Sequence, residues 1–418
     1  MRILWIKTEL LHPIDKGGRI RSYQVLRALA RQHQITFLCL SDDLVASDAR
    51  ARAREYAQDV VVVPFQPPAK MSLGFLATLV VNLFSPLPYA IARYRSAGLR
   101  AQIHRLAATA DLIVCDFLTP SLNVPDGLPA PAVLFEHNVE AMIWQRHASV
   151  PQHPLRRAYM RLQWRRMLQH EARECRRFAH VIAVSANDAD VIRREYAAAS
   201  VGCVPTGVDL EYFTPARTRP RNSRELVFVG SLDWMPNDDG IRWFAAEVFP
   251  RVQQRIDDVR LVVVGRSPPP RLRRLASRNR AIEVTGTVDD VRPYLGRAAL
   301  SVVPLRVGGG TRLKIYEAMA MGVPVVATTI GAEGLPLRNG EQILIADTPD
   351  EQATAICALL GNPARAAKLA AEARRHVQEH CSWEVVARRF ISQCPHRAAA
   401  NWCIKEGPHE TRDSRGAG

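Results

Sequence analysis

The sequence lacks the cysteine spacing of a zinc site and the long apolar opening of a signal peptide. None of its eight cysteines forms a Cys-x-x-Cys pair, so a structural zinc ion is not expected. Several cysteines lie in apolar segments typical of buried strands, such as residues 112–115, which favours a reducing, cytoplasmic compartment. The apolar opening at residues 1–6 ends at Lys7 and is too short for the core of a signal peptide.

Acidic pairs that could hold a metal are also missing from the predicted strand ends. No Asp-x-Asp stands at such a position, and the adjacent pairs Asp42-Asp43 and Asp289-Asp290 are typical of turns. Basic residues are instead in excess, with a formal net charge of +15. A surface this basic attracts phosphates, nucleic acid or anionic lipid. We therefore expect an anionic ligand, and neither a metal nor another cofactor.

Apolar strands alternate with helical segments along both halves of the chain, for example at residues 3–6, 35–40, 59–64, 132–135, 226–229 and 259–264. This alternation predicts an α/β fold with doubly wound parallel sheets. A polar, proline-bearing linker at 211–224 separates two predicted domains, residues 1–210 and residues 225–378. The polar tail at 396–418 is expected to be loosely ordered.

A glycine-rich loop dominates the second half. Three glycines at 308–310 separate a predicted strand at 299–305 from a helix that begins at Thr311. Such a loop lets backbone N–H groups approach an anion, and the helix dipole adds to the attraction. Lys314 and Glu317 project from one face of that helix. The pattern predicts a phosphate cradle with one cation and a carboxylate suited to hydroxyl groups; a tight turn beside a surface Lys–Glu pair is the alternative.

The first half carries two weaker signals for a ligand. Gly17 and Gly18 form a second glycine loop between a strand and a helix, although their spacing is not that of a dinucleotide-binding motif. His137 follows a predicted strand, and the carboxyl ends of parallel strands border the crevice where α/β sheets bind ligands. A loop histidine with ordinary hydrogen bonds is the alternative. Its neighbours Glu136 and Glu140 are weaker candidates for an acceptor-side base.

Two segments of the first half could either be internal or face a membrane. Residues 71–91 are nearly all apolar, but Asn82 and Pro86 interrupt them, and the run is shorter than the ~20 residues of a spanning helix. They form either a buried helix or an apolar patch that meets the membrane or a lipid-linked acceptor. The predicted helix at 155–178 carries eight arginines beside an apolar stripe. These arginines form either a solvated face or one that lies on anionic lipid, where each charge adds about 1 kcal/mol. Nucleic acid is disfavoured as a ligand, because the aromatic side chains belong to the apolar stripe and do not lie among the arginines, where bases could stack on them.

The sequence EAMAMGVPVV at 317–326 resembles, position by position, the carboxyl-half signature of the retaining glycosyltransferases of family 4. Two departures accompany the resemblance. Gly309 stands at the first acidic position of the signature, and Ser231 stands where many members have an arginine. The resemblance extends over about residues 1–395 and is strongest over 299–335. It implies the GT-B fold, with two Rossmann-like domains facing across a cleft and a helix at 379–395 that crosses back to the first domain.

The resemblance implies transfer of a sugar from a nucleoside-diphosphate sugar to an acceptor hydroxyl, with retention of configuration. It assigns acceptor binding to residues 1–210 and donor binding to residues 225–378. The acceptor would be a lipid-linked or growing polysaccharide, as in bacterial exopolysaccharide synthesis, handled in the cytoplasm at the inner face of the membrane. The implied catalytic residues are His137, Lys314 and Glu317. The implied donor-binding residues are Gly309, Gly310, Thr311, Arg312, Arg266, Val288, Glu333 and Gly334, and the implied acceptor-side residues are Gly17, Gly18 and Glu136.

Two other functional classes fit the same residues. One is an enzyme of the same fold that acts differently on a sugar nucleotide or sugar phosphate, such as an epimerase or a phosphorylase. The other is a basic, non-catalytic protein that binds polyanions. No metal is required in the transferase interpretation, because cationic side chains would meet the charge of the diphosphate.

Overall fold

A computed structural model describes residues 1–14, 17–41, 46–66, 72–149, 154–215, 224–307 and 312–395. The chain divides into two compact units. Unit 1 comprises Met1–Val204 together with the residues from Ala387 onward, and unit 2 comprises Pro205–Val386. The glycine loop at 308–311, most of the predicted linker and the polar tail at 396–418 lie outside the described residues.

Unit 1 is built on a parallel sheet in which the described residues supply seven strands, in the order β3-β2-β1-β4-β5-β6-β7. The strands are β1 (Arg2–Lys7), β2 (Gln34–Ser41), β3 (Asp59–Pro64), β4 (Leu112–Asp116), β5 (Ala132–Glu136), β6 (His180–Ala183) and β7 (Val201–Cys203). The helices are α1 (Gly17–Leu29), α2 (Ala46–Arg52), α3 (Leu73–Leu83), α4 (Tyr89–Ala92), α5 (Ala97–Ala107), α6 (Glu140–Ser149), α7 (Pro154–Arg177) and α8 (Ala186–Arg194). Strands β1 and β4 are buried almost throughout, as expected for a sheet covered by helices on both faces.

Unit 2 repeats this plan with a parallel sheet of order β10-β9-β8-β11-β12-β13. Its strands are β8 (Glu225–Val229), β9 (Arg260–Val264), β10 (Ile282–Gly286), β11 (Leu300–Val303), β12 (Val325–Ala327) and β13 (Leu344–Ile345). Its helices are α9 (Met235–Trp243), which continues through a π-helical turn (Phe244–Val248) into α10 (Phe249–Gln253), then α11 (Pro270–Arg278), α12 (Arg292–Arg297), α13 (Leu313–Ala320), α14 (Pro349–Leu360) and α15 (Pro363–His380).

The strand orders confirm the predicted α/β fold with doubly wound parallel sheets. In each sheet the order reverses at one point, between β1 and β4 in unit 1 and between β8 and β11 in unit 2. Ligands of such sheets bind beyond the carboxyl ends of the strands at this reversal. In each unit, functional side chains are therefore expected at the carboxyl ends of the strands beside this reversal.

The last described helix, α16 (Trp383–Gln393), begins in unit 2 and ends in unit 1. Near its start, the Trp383 ring lies against Gly207. Further along, Phe390 packs on Trp5 of β1 and Phe135 of β5, with ring centroids 5.6 and 5.0 Å away. Residues distant in sequence are thus brought into the core of unit 1.

Helix α3 differs from the expected buried helix. Most of its large apolar side chains are exposed, namely Leu73, Leu76, Val80, Val81 and Leu83, together with Phe84 at its end. The interpretation of 71–91 as a buried helix is therefore wrong for residues 73–84, whereas Leu87 and Ile91 further along are buried. Of the described helices, none combines the length and the apolar content needed to cross a bilayer.

The buried face of helix α7 is also more polar than its sequence predicts. Met167 and Cys175, which belong to the predicted apolar stripe, are buried, but so are Gln163, His170, Glu171 and Glu174. These polar groups bond to neighbouring segments. Gln163, for example, accepts a hydrogen bond from the backbone N–H of Tyr89 at 2.7 Å.

Candidate functional site

In unit 2, a lysine lies beside the carboxyl end of β8. Lys314 belongs to the first turn of α13, and its Nζ donates a hydrogen bond of 2.7 Å to Oδ1 of Asn237. The amide of Asn237 in turn donates to the carbonyl oxygen of Ser231 at 2.8 Å. Nζ also lies 4.4 Å from the centre of the Phe228 ring. Gly230, between Phe228 and Ser231, leaves the space in which Nζ sits.

Burial shifts the protonation of both predicted catalytic groups of α13. It lowers the pKa of Lys314 to about 7 and raises the pKa of Glu317 to about 7. Their mutual attraction opposes both shifts. Because both pKa values lie near neutrality, the arrival of an anion beside Lys314 would change the charge of this pair.

Arg266 extends from the end of β9 onto the residue that departs from the family pattern. Its Nε donates a hydrogen bond of 2.7 Å to Oγ of Ser231. The same Nε lies 3.7 Å from the carboxylate of Asp233. The Arg266 side chain is 46% exposed, so its guanidinium remains open to a ligand. A cation thus stands next to position 231 although residue 231 itself is a serine.

The remaining predicted donor residues of unit 2 that the structure describes make contacts that stabilise the fold. Arg312 is buried, and its Nη2 donates to the carbonyl oxygen of Ile330 at 3.0 Å and lies 4.0 Å from the Glu333 carboxylate. Arg312 therefore braces the loop that carries Glu333 and Gly334, where Gly334 has a φ of 77°. Val288 packs against the core of unit 2. The other predicted donor residues, Gly309, Gly310 and Thr311, lie outside the described part of the chain.

In unit 1, a buried carboxylate at the end of β4 binds polar groups of β1 and of the residue that follows β5. Asp116, the last residue of β4, accepts hydrogen bonds from Lys7 Nζ at 2.9 Å, Trp5 Nε1 at 2.9 Å and His137 Nε2 at 2.8 Å. Lys7 also donates to the hydroxyl of Ser22 on α1 at 3.0 Å. All of these side chains are buried, so the pairing of charges with hydrogen bonds compensates their desolvation.

His137 is enclosed by this network and is 2% exposed. A carboxylate can only accept, so Nε2 carries the ring proton, which leaves Nδ1 to face Nη1 of Arg21 at 3.2 Å. Burial lowers the pKa of His137 to about 3, which makes the ring neutral at physiological pH. The Phe117 ring stacks on it at 3.8 Å. A ligand that bonds to His137 would have to displace Arg21.

The predicted acceptor-side residues lie around the same sheet edge. Gly17, the first residue of α1, is exposed, and a methyl group added there would meet open space. Gly18 is different, because a Cβ atom at this position would lie 2.6 Å from the ring of Phe117. Glu136 is buried, and neither carboxylate oxygen has a hydrogen-bond partner among the described residues. Burial and the charge of Glu171 raise the pKa of Glu136 well above its usual value, which favours the neutral form of this carboxyl group.

Four side chains at these two sheet edges were not predicted from the sequence as site residues: Lys7, Arg21, Asp116 and Asn237. Lys7 and Asp116 each end an apolar strand. A charged residue at the carboxyl end of a parallel strand indicates a ligand-binding edge, so both could have been predicted. Asn237 and Arg21 lie on helices and carried no comparable signal. Across the described ranges, no group of three His, Cys, Asp or Glu side chains could hold a metal ion.

Two Rossmann-like units, each built on a doubly wound parallel sheet, are typical of GT-B glycosyltransferases. Residues 16–212 match the family model described as Glycosyltransferase Family 4, and residues 223–362 match the model described as Glycosyl transferases group 1. The two models together span most of the chain, and the chain belongs to the family 4 glycosyltransferases. The resemblance predicted from the sequence at 317–326 is thereby confirmed.

Relatives with known activities match about half of the chain. A D-inositol 3-phosphate glycosyltransferase of Rhodococcus opacus is 31% identical over 263 residues, which cover 57% of each protein. A phosphatidyl-myo-inositol mannosyltransferase of Mycobacterium tuberculosis is 30% identical over 200 residues, which cover 45% of this chain and 52% of the relative. The matched segment thus spans little more than half the length of these curated relatives.

Solved structures match over nearly the whole chain. Sucrose-phosphate synthase from Thermosynechococcus elongatus superposes with a TM-score of 0.68 at 18% identity, over 97% of this chain and all of the other. Anabaena HepE, solved in complex with UDP, gives a TM-score of 0.65 at 16% identity, over 94% of this chain and 99% of the other. At these identities the likeness shows the GT-B fold alone.

Proposed function

We propose that the protein transfers a sugar from a nucleoside-diphosphate sugar to an acceptor hydroxyl with retention of configuration. The observation that carries the proposal is the pair of cations at the carboxyl ends of β8 and β9. Lys314 is held by Asn237, and Arg266 is held by Ser231. In this proposal the two side chains meet the charge of the diphosphate, because cations placed in advance stabilise developing charge most effectively where water is excluded.

In the proposed reaction, the bond between the anomeric carbon and the diphosphate oxygen breaks, and a bond to the acceptor oxygen forms on the same face. The acceptor proton passes to the leaving diphosphate. Lys314 and Arg266 take the negative charge that develops on the leaving group, together with the backbone N–H groups of the loop at 309–311. Arg266 replaces the arginine that many members carry at position 231, and no metal is needed in this scheme.

Glu317 is proposed to hold the ribose hydroxyls of the donor. Its place in α13, less than one turn from Lys314, suits a ligand whose phosphate and ribose are neighbours. The loop of Glu333 and Gly334, braced by Arg312, and the segment at Val288 would surround the rest of the nucleotide. HepE, which shares this fold, was solved with UDP, so a nucleoside diphosphate is the appropriate first probe.

The acceptor is proposed to be a lipid-linked or growing polysaccharide at the cytoplasmic face of the membrane. The names of the relatives include acceptors with an inositol phosphate or a phosphatidyl group, which supports an anionic or lipid-linked acceptor. Unit 1 would bind it at the edge of the sheet that carries Gly17, Gly18, Glu136 and His137. Synthesis of a bacterial exopolysaccharide is the process that this acceptor class favours.

The test is a thermal-shift screen of UDP-, GDP- and dTDP-sugars with the wild type and with Glu317→Gln. At least one donor should raise the Tm of the wild type. Its nucleoside diphosphate should also bind more tightly than the 2′,3′-dideoxy analogue, and Glu317→Gln should remove that preference. A screen in which no nucleotide changes the Tm would overturn the donor assignment, and an unchanged preference in the variant would overturn the role of Glu317.

Retention is checked separately on the product. The donor identified by the screen is incubated with short acceptor sugars, and NMR compares the anomeric configuration of the product with that of the donor. Equal configurations are expected. An inverted product would contradict the proposed mechanism, and hydrolysis or isomerisation of the donor without any acceptor would favour an epimerase-type activity instead.

A further inference from the structure

Exposed apolar side chains are concentrated on α3 of unit 1. Leu73 is 86% exposed and Phe84, at the helix end, is 88% exposed, and four others between them are also exposed: Leu76, Val80, Val81 and Leu83. The helix contains no charged residue. At about 100° per residue, the six side chains project from one half of the helix circumference. A contiguous apolar face of this kind marks a site of interaction.

The opposite side of α3 faces the protein and is mixed: the Phe75 ring packs on Tyr89, with ring centroids 5.8 Å apart, and polar contacts lie near the end of the helix. Asn82 is buried, and its amide donates to the carbonyl oxygen of Leu87 at 3.1 Å and accepts from Gln163 at 3.0 Å. Arg166 donates to the carbonyl oxygens of Asn82 at 2.8 Å and Leu83 at 2.7 Å. An ordinary surface helix turns its apolar stripe to the core, whereas most of the large apolar side chains of α3 are exposed. Specific hydrogen bonds therefore hold α3 with its apolar face turned to solvent.

The helix that anchors α3 is strongly basic over the same stretch. Residues 154–166 of α7 contain five arginines and no acidic residue, and four of these arginines are exposed: Arg156, Arg157, Arg161 and Arg165. The acidic residues of α7, Glu171 and Glu174, lie further along and are buried. Because Gln163 and Arg166 contact the end of α3, the basic stretch ends beside the apolar patch.

We propose that α3 and the first half of α7 form a docking surface for an anionic lipid bilayer. With 11 residues, α3 is only about 16 Å long, against a hydrocarbon thickness of about 30 Å. It therefore lies in the interface with its apolar face in the acyl region, and the arginines contact anionic headgroups. A second copy of this chain would explain the apolar face but would place the like-charged arginines of two molecules near one another.

The test measures co-sedimentation of the full chain with phosphatidylcholine vesicles, with and without phosphatidylglycerol. One variant carries Leu73→Gln and Phe84→Gln, which remove apolar surface without changing the charge. Another replaces Arg156, Arg157, Arg161 and Arg165 by Gln. The charge-matched control replaces four exposed arginines in and after α11 of unit 2 by Gln, namely Arg273, Arg274, Arg278 and Arg280. The apolar control is Met235→Gln, at a residue of unit 2 that is 61% exposed.

We expect the wild type to bind only the anionic vesicles and to be released by salt. Each test variant should bind about tenfold more weakly or worse, while both controls bind as the wild type does. Equal binding to neutral vesicles, or an equal loss in the charge-matched control, would overturn the proposal. The proposal would also be overturned if the wild type bound no vesicles and light scattering showed a dimer. In that case the Leu73→Gln, Phe84→Gln variant would be a monomer. Unchanged Tm values confirm folding of the variants, and because no sugar nucleotide is present, the result is independent of the proposed enzymatic function.

Discussion

Nζ of Lys314 occupies the space into which a side chain at position 230 would project. A Cβ atom built on Gly230 would lie 2.6 Å from Nζ of Lys314 and 2.8 Å from the amide nitrogen of Asn237. Both atoms are the ends of side chains that can rotate away, so an alanine can be accommodated by moving them. The glycine at the end of β8 therefore determines where the cation sits, while the strand itself does not depend on it.

Gly230→Ala should consequently impair donor binding without unfolding the protein. Its Tm should stay within about 2 °C of the wild type, while affinity for the nucleoside diphosphate falls about tenfold, as for loss of one charged hydrogen bond. Isothermal titration and thermal unfolding measure the two effects. Gly265→Ala is the matched control, because a Cβ there would collide with the backbone carbonyl of Gly230 and should destabilise the fold by about 3 kcal/mol. Normal affinity in Gly230→Ala would remove Lys314 from the donor site.

Lys314 should also make donor binding depend on pH. Because burial lowers its pKa to about 7, the ammonium loses its proton above neutrality, and the ligand loses its cation. Affinity for the nucleoside diphosphate should fall roughly fivefold between pH 7 and pH 8. Lys314→Arg should remove the contribution of residue 314 while keeping a charge, since arginine stays protonated, and should leave only the contribution of Glu317, whose pKa is also about 7. Titrations at pH 6 to 9 provide the measurement, and the same slope in Lys314→Met would contradict the assignment.

The kinetic consequence of Lys314 is distinct from its effect on binding. Lys314→Ala should lower turnover by about 10²–10³-fold, more than it weakens donor affinity, because the charge on the leaving diphosphate is largest in the transition state. Steady-state kinetics with the donor from the screen would show this as a larger change in kcat than in KM.

The sequence allowed the sheets and the family to be predicted, because both depend on local patterns. Alternating apolar strands and helices require parallel sheets, and the block at 317–326 combines a helix, its glycine stop and a buried strand in one short segment. The orientation of α3 was not predictable in the same way. Its composition fits a buried helix equally well, and the hydrogen bonds from Gln163 and Arg166 that turn it outward come from about 80 residues further along the chain.

The environment of His137 shows a similar limit. Its position after β5 could be predicted, since a strand end is a local feature. Its two hydrogen-bond partners, Asp116 and Arg21, lie 21 and 116 residues away in sequence. Long-range pairing of this kind depends on the order of strands in the sheet, which no local pattern specifies.

The buried carboxyl groups beside β5 provide a prediction about stability. Glu136 has a raised pKa because it is buried near Glu171. In the folded protein it keeps its proton at pH values where the unfolded chain has lost it, above about 4.5. The folded state then binds more protons than the unfolded state, so this group lowers stability as pH rises, by about 1.4 kcal/mol per unit until the folded-state pKa is reached.

Glu136→Gln should remove this dependence, because an amide is uncharged at every pH. Relative to the wild type, the variant should therefore gain free energy of unfolding between pH 5 and pH 8. Glu171→Gln is the contrasting variant. Glu171 accepts hydrogen bonds from the backbone N–H groups of Glu140 at 2.6 Å and Ala141 at 2.9 Å, and from the Tyr196 hydroxyl at 2.8 Å. The glutamine amide offers one acceptor oxygen fewer than the carboxylate. The free energy of unfolding of Glu171→Gln should therefore be about 1–3 kcal/mol below that of the wild type at pH 5.

Urea denaturation at pH 5, 6, 7 and 8 measures both variants against the wild type. Contributions of other titrating groups, including His137, whose lowered pKa makes stability fall as pH drops below about 6.5, cancel when the curves are subtracted. A difference between Glu136→Gln and the wild type that stays constant with pH would show that Glu136 is charged in the folded protein. In that case Glu136 would again qualify as a base on the acceptor side of unit 1.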